Sequence, residues 1–178
     1  MGIRYLILPL LLFAGCNKPF RQNDKITRIE LARSGAWSDF GASISIDSSL
    51  NYEYWGDYSQ VKQGYFKGTI SKAYWDTLNK RLSQIRFRTV KTNNDINCED
   101  CEEYEMIIRW RGNSRKILRT DYHNRPDSVL SFIKWVDSSY KHVNLHSTKD
   151  SIKFDLNLHG RPMPISFKSL KFPPPGRK

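Results

Sequence analysis

The chain contains no G-x-S-x-G, no H-E-x-x-H, no phosphate loop and no dinucleotide fingerprint. The short motifs that announce nucleophilic, zinc or nucleotide chemistry are therefore missing. No apolar run approaches the roughly 20 residues that a membrane-crossing helix requires. Neither an internal repeat nor a low-complexity linker divides the 178 residues, a length that suits one domain with a real core. Acids are scarce, 18 against 29 Lys and Arg, for a formal charge of +11. Even so, there is no dense Lys/Arg block of the kind a nucleic-acid arm carries. Cysteine is limited to Cys16, Cys98 and Cys101.

What is present at the N-terminus speaks for location. Arg4 gives a short positive start, residues 5–13 are apolar apart from Pro9, and Ala14 and Gly15 place small residues before Cys16. Secretory signals have this order of basic, apolar and small-residue regions. The ending Leu12-Phe13-Ala14-Gly15-Cys16 resembles the lipobox of bacterial lipoproteins. That resemblance implies removal of residues 1–15 and acyl chains on Cys16. A cleaved signal with an incidental cysteine and an uncleaved anchor are the other readings of these residues. Two or more hydrophobic attachments make anchoring stable, so the resemblance implies a membrane-lipid partner through Cys16 and residence in the bacterial cell envelope. No acidic run follows Cys16, which points to the periplasmic face of the outer membrane rather than the cell surface. Residues 16–25 read as a polar tether, and nine extended residues span at most ~30 Å. Export removes nucleic acid from the expected partners. The spread basic residues are then either a solvated surface or an attraction for anionic lipid headgroups or envelope polymers.

Beyond the tether, alternation predicts strands over 26–33, 42–47, 50–55 and 61–70, with a turn at Asp47-Ser48-Ser49. Gly64 and Gly68 suggest a bulge or a close backbone approach in the fourth. Ser71 is a suitable N-cap for a helix whose apolar stripe is Trp75, Leu78, Leu82 and Ile85, with Ile70 placed as a hydrophobic staple. A hairpin follows over 104–110 and 116–121, turning near Gly112-Asn113. A second helix with Pro126 in its first turn then buries Val129, Ile133, Val136 and Tyr140. Ile152, Phe154, Leu156 and Leu158 alternate with polar residues, which predicts a strand that turns at 159–162 and returns over 165–172. Pro173-Pro174-Pro175 ends the chain in an extended form. The expected fold is α+β: antiparallel sheet with two packed helices, βββ(β)α then ββα, plus a C-terminal β-hairpin extension. The expected divisions are 1–15, 16–25, 26–141 and 142–178.

The order Ile26, Ile29, Leu31, a glycine-bearing loop, Ile46, Tyr52-x-Tyr54-x-Gly56 and Gly64-x-x-x-Gly68-x-Ile70 continues through Leu78, Leu82, Phe87, Gly112, Asp121 and Asp137. Over residues 26–139 this pattern resembles the domain-of-unknown-function family numbered 6438, found among bacterial envelope proteins. The resemblance implies fold and location and carries no activity. Family members commonly have Cys-x-x-x-Cys-Pro in the first loop, where this chain has Ala36, Phe40 and Gly41. A disulfide or metal role for that pair is thus unavailable here.

Three groups of residues remain as candidates for chemistry. Cys98 and Cys101 have redox spacing, but the acids around them would raise thiol pKa values. A local disulfide, a free or regulatory pair and a thiol-redox centre are the readings. The acidic loop lacks calcium-loop order and reads as a solvated loop; it could instead pair with basic faces of the same protein. His142 and His146 would need a longer helix and a third ligand to hold a metal. Tyr52, Tyr54, Trp55, Tyr58 and Tyr65, among further aromatics, could stack on sugars or peptides, or could be strand pairing and core. The resulting expectation is a lipid-anchored, non-catalytic binding module with no cofactor and no metal. Its expected partner is an envelope protein or anionic envelope polymer, met through the aromatic face or an open edge of the tail. A thiol-redox protein and a purely structural lipoprotein are the alternatives.

Overall fold

Period-two alternation puts one set of side chains from every strand on one side, and that side is where the helices pack. The computed structural model describes residues 25–35, 41–57, 60–91, 101–111, 114–120 and 126–160. Its strands are β1 (Ile26–Ser34), β2 (Ala42–Asp47), β3 (Asn51–Gly56), β4 (Gly64–Thr69), β5 (Glu103–Trp110), β6 (Ser114–Thr120) and β7 (Leu145–Thr148). They form one antiparallel sheet in the order β6-β5-β1-β2-β3-β4-β7. The α+β architecture read from the sequence is the one observed.

The helix-bearing face carries Ile29 and Leu31, Ile44 and Ile46, Tyr52 and Tyr54, Met106 and Ile108, and Leu118 in one apolar cluster. Helix α1 (Lys72–Gln84) adds Trp75, Leu78 and Leu82, and α2 (Asp127–Asp137) adds Val129, Phe132, Ile133 and Val136. Ser71 caps α1 as its spacing predicts, its hydroxyl accepting the Tyr74 N–H. Pro126 stands one position earlier than expected, at the N-cap of α2.

The C-terminal end of α1 is a corner with a purpose. Arg86 adopts φ +50, its N–H bonds to Ser83 O, and the Phe87 N–H reaches back to Leu82 O. This is a Schellman motif with a non-glycine residue in the left-handed position. It returns Phe87 to the core and sets Arg88 at the surface.

Some local expectations change and others hold. β4 begins at Gly64, whose φ of +94 ends a bend rather than interrupting a strand, and Val61 lies exposed before it. Gly68 does mark a close approach: a Cβ there would lie 2.6 Å from Asn144 O. That approach admits β7, a strand whose sequence shows no alternation. Helix α2 ends at Asp137 and passes through a 3-10 turn (Ser138–Lys141), so His142 and His146 do not share a helix face.

The last change concerns residues 151–160. Their burial alternates as the sequence predicts, with Ile152, Leu156 and Leu158 inside, yet residues 151–156 join no strand ladder. They form an extended strap across the second face of the sheet, where Leu156 and Leu158 cluster with Ala32 and Ile107. Two carboxylates of that face hold it. Glu30 Oε1 accepts the Asp155 N–H at 3.3 Å, and Glu105 Oε2 accepts the Leu158 N–H at 2.9 Å. The Asn157 amide donates to Glu105 Oε1, and Ser43 Oγ meets His159 Nδ1 at 2.9 Å. The described part of the tail is therefore packed down and offers no open edge. The return strand expected over 165–172 lies outside the described residues.

Candidate functional site

Helix α1 has two faces. Trp75, Leu78 and Leu82 enter the core, while Asp76, Asn79, Lys80 and Ser83 share a polar stripe at i, i+3, i+4 and i+7. That stripe is one wall of a cavity of about 740 Å³, within the usual range for small-ligand sites. The other wall is made by Lys25, Ile26, Phe87, Arg88 and Arg111. Ile26 opposite Trp110 in the β1–β5 ladder, together with the Arg111 N–H on Lys25 O at 3.2 Å, fixes Lys25 and Arg111 side by side. The corner after α1 supplies Phe87 and Arg88. Phe87 meets the Trp110 ring edge-on at 5.6 Å, and the Arg88 guanidinium lies over both rings, at 4.8 and 5.2 Å. Such cation–ring contacts hold a guanidinium in place.

The electrostatics of this groove are one-sided. Among the described residues four cations line it, Lys25, Lys80, Arg88 and Arg111, against a single acid. That acid, Asp76, is already bonded to Lys72 at 2.6 Å. Among the described residues, Lys25, Lys80 and Arg111 form no ion pair. Other arginines are committed elsewhere: Arg28 and Arg109 to Glu30, Arg119 to Glu105, Arg33 to Glu102 and Asp137. Buried Trp75, Ile26 and Phe87 supply the apolar floor. Chemically, the groove suits an anion joined to an apolar group.

At the other end of β1 lies a polar cluster of different character. Arg33 reaches Asp137 at 3.3 Å, Glu102 at 3.7 Å and Gln60 Oε1 at 3.4 Å. Burial raises the Asp137 carboxyl above its usual range; Arg33 pulls it back and Glu102 pushes it further up. Burial likewise pushes the Tyr54 hydroxyl well up. Tyr54 Oη, Arg33 Nε and Gln60 Nε2 are buried without a partner among the described residues. The cluster ties the end of α2 to the sheet as internal packing, whereas the groove faces solvent.

The structure separates the residues singled out from sequence. Tyr52 and Tyr54 are wholly buried beneath the helices, where the Tyr52 hydroxyl meets Ser139 Oγ at 2.7 Å and Tyr54 stacks on Tyr140. Trp55 and Tyr65 pair with each other on the opposite face, and Trp55 meets His159 edge-on. The four described aromatics thus form no common stacking surface, and Tyr58 lies outside the described residues. Cys101 is disulfide-bonded; Cys98 and Cys16 lie outside the described residues. Part of the acidic loop pairs internally, Glu102 with Arg33 and Glu105 with Arg119. No three His, Cys, Asp or Glu side chains gather as a metal set among the described residues, and none of the described helices is long and apolar enough to cross a membrane. Sequence reasoning missed Lys25, Lys80, Arg88 and Arg111 as a group. Only the polar stripe on α1 was a local signal for them.

The fold and groove define a class: a seven-stranded antiparallel α+β domain whose helix-bearing face opens at one end into a basic cleft. The sequence profile described as Domain of unknown function (DUF6438) matches residues 41–140, more than half of the chain. The chain belongs to that family. None of the curated proteins compared with it matches.

Proposed function

We propose that the protein is a lipoprotein of the bacterial cell envelope, held to a membrane by acyl chains on Cys16, and that it acts by binding. The observation that carries this reading is the sequence Leu12-Phe13-Ala14-Gly15-Cys16 placed directly before a short polar tether. The tether leads to Lys25, a residue of the basic groove. Nine extended residues hold Lys25 within ~30 Å of the acylated position. The binding surface is then a cleft at the root of the tether, not the aromatic residues or the tail from which sequence alone would build it. Periplasmic exposure on the outer membrane fits the absence of an acidic run after Cys16.

The test is metabolic labelling with an alkyne fatty acid in the native host. The full chain should take the label and fractionate with membranes. Cys16→Ser should lose both the label and the membrane association. An unlabelled wild-type chain, or a Cys16→Ser variant that still fractionates normally, contradicts the reading.

A further inference from the structure

We propose that the groove between α1 and the start of β1 binds the phosphodiester headgroup of an anionic glycerophospholipid, in the membrane that holds the anchor. This rests on the lipoprotein reading for the source of the lipid, but the groove's chemistry stands on its own geometry.

Charge comes first. Lys25, Lys80, Arg88 and Arg111 converge on one cavity whose only acid among the described residues is bonded to Lys72. Guanidinium groups offer parallel N–H donors that match phosphate oxygens, and lysines add point charge. Three of the four cations have no ion-pair partner among the described residues, unlike the arginines that serve the buried glutamates. Shape comes second. Asn79 and Ser83 supply polar groups for headgroup hydroxyls, although the Asn79 amide also bonds Trp75 O and the Ser83 hydroxyl Asn79 O. Trp75, Ile26 and Phe87 give apolar surface on which the glycerol and first methylenes can lie. Position comes third. Lys25 ends the tether directly before β1, so a chain leaving it toward a bilayer brings this end of the sheet toward the headgroups. Juxtamembrane cations are attracted to anionic leaflets, each raising affinity about fivefold. Tether and groove together then form a two-point attachment in which the first raises the local concentration for the second.

The experiment uses the full-length chain in neutral detergent with a photoactivatable phosphatidylglycerol. A photoactivatable phosphatidylcholine forms a second arm, and millimolar inorganic phosphate is added as competitor in a third. Adducts are mapped by mass spectrometry. The expected result is that phosphatidylglycerol adducts fall on Trp75, Ser83 or Arg111 in clear excess over phosphatidylcholine adducts. Lys80→Gln with Arg88→Gln and Arg111→Gln should weaken capture about a hundredfold. These side chains are exposed, so circular dichroism should be unchanged; Lys80→Gln with Arg111→Gln, which spares the ring-stacked Arg88, should weaken capture by a smaller factor in the same direction.

Equal labelling by the two lipids, adducts elsewhere on the surface, or capture unaffected by the variants would overturn the proposal. Full displacement by inorganic phosphate would assign the groove to a free phosphate and overturn the lipid source. Specific groove adducts on a chain that carries no acyl label would refute the anchor and leave the groove standing. An acylated chain with no groove adducts would do the reverse.

Discussion

Glu105→Ala is expected to release residues 151–160 from the sheet and lower stability by about 3 kcal/mol. The Glu105 side chain is 0% exposed and accepts from the Leu158 N–H, the Asn157 amide and Arg119. Removing it leaves a buried backbone N–H without an acceptor. The full cost of breaking a buried ion pair does not apply, because Arg119 is 40% exposed and can turn to water. The loss also has a ceiling. Once it exceeds the strap's own docking free energy, the strap leaves and the sheet remains folded. Two readouts separate these regimes: urea unfolding for the whole domain, and trypsin cleavage at Lys153 for the strap. Faster cleavage at Lys153 with a shifted urea midpoint is the expected outcome. A variant as resistant as wild type at Lys153 would show that Glu105 does not hold the strap.

The same contacts carry a pH dependence. Burial opposes the Glu105 charge, but the bonds from Asn157, the Leu158 N–H and Arg119 outweigh it and hold the carboxyl below its ordinary 4.5. Its contribution is therefore present above that value and lost as pH falls through the depressed one. Burial lowers His159 below its ordinary 6.5, so the folded chain prefers the neutral ring bonded to Ser43. That contribution is complete above 6.5 and fades as pH falls through the interval down to the lowered folded value. Both effects loosen the strap on acidification, the histidine first. An NMR titration of the His159 ring should give a midpoint below 6.5; a midpoint at or above 6.5 would refute the sign.

Gly56→Ala should be at least as damaging, at about 3 kcal/mol or more. Gly56 ends β3 on the buried face, and a Cβ there would lie 2.2 Å from Lys62 O and 2.8 Å from Tyr54 Oη. Neither atom can yield easily: one is backbone, and the other belongs to a ring stacked on Tyr140. The segment leading into β4 must shift, and the β3–β4 register with it. Gly160→Ala is the control. It meets nothing within 4 Å among the described residues, and its φ of +63 is unfavourable, at about 1–2 kcal/mol. Thermal unfolding of both should show a much larger drop for Gly56→Ala; equal drops would mean the crowding at Lys62 is not rigid.

Much of the helix-bearing face was legible because burial there follows local period. Ile44, Ile46, Leu78, Leu82 and Ile133 are where the alternation and the helical stripe put them. The second face was not legible, because Glu30 and Glu105 read as solvent-facing acids until a strap arrives from 125 and 53 residues away. The strap itself shows the limit of period two: alternation at Ile152, Leu156 and Leu158 reports which side chains turn inward, not whether the backbone pairs. β7 was invisible for the opposite reason, since its place is made by Gly68 on another strand. The groove was half legible. Asp76, Asn79, Lys80 and Ser83 are an ordinary polar helix face, and only topology joins them to Lys25, Arg88 and Arg111.

The proposed Cys16 tether and the proposed headgroup groove would face the same membrane. Hydrogen exchange on the full acylated chain, reconstituted into vesicles, tests this most directly. In phosphatidylglycerol vesicles, amides of Lys72–Gln84 and Arg111 should exchange more slowly than in phosphatidylcholine vesicles, while β2 stays unchanged. Identical exchange in the two membranes would contradict the account.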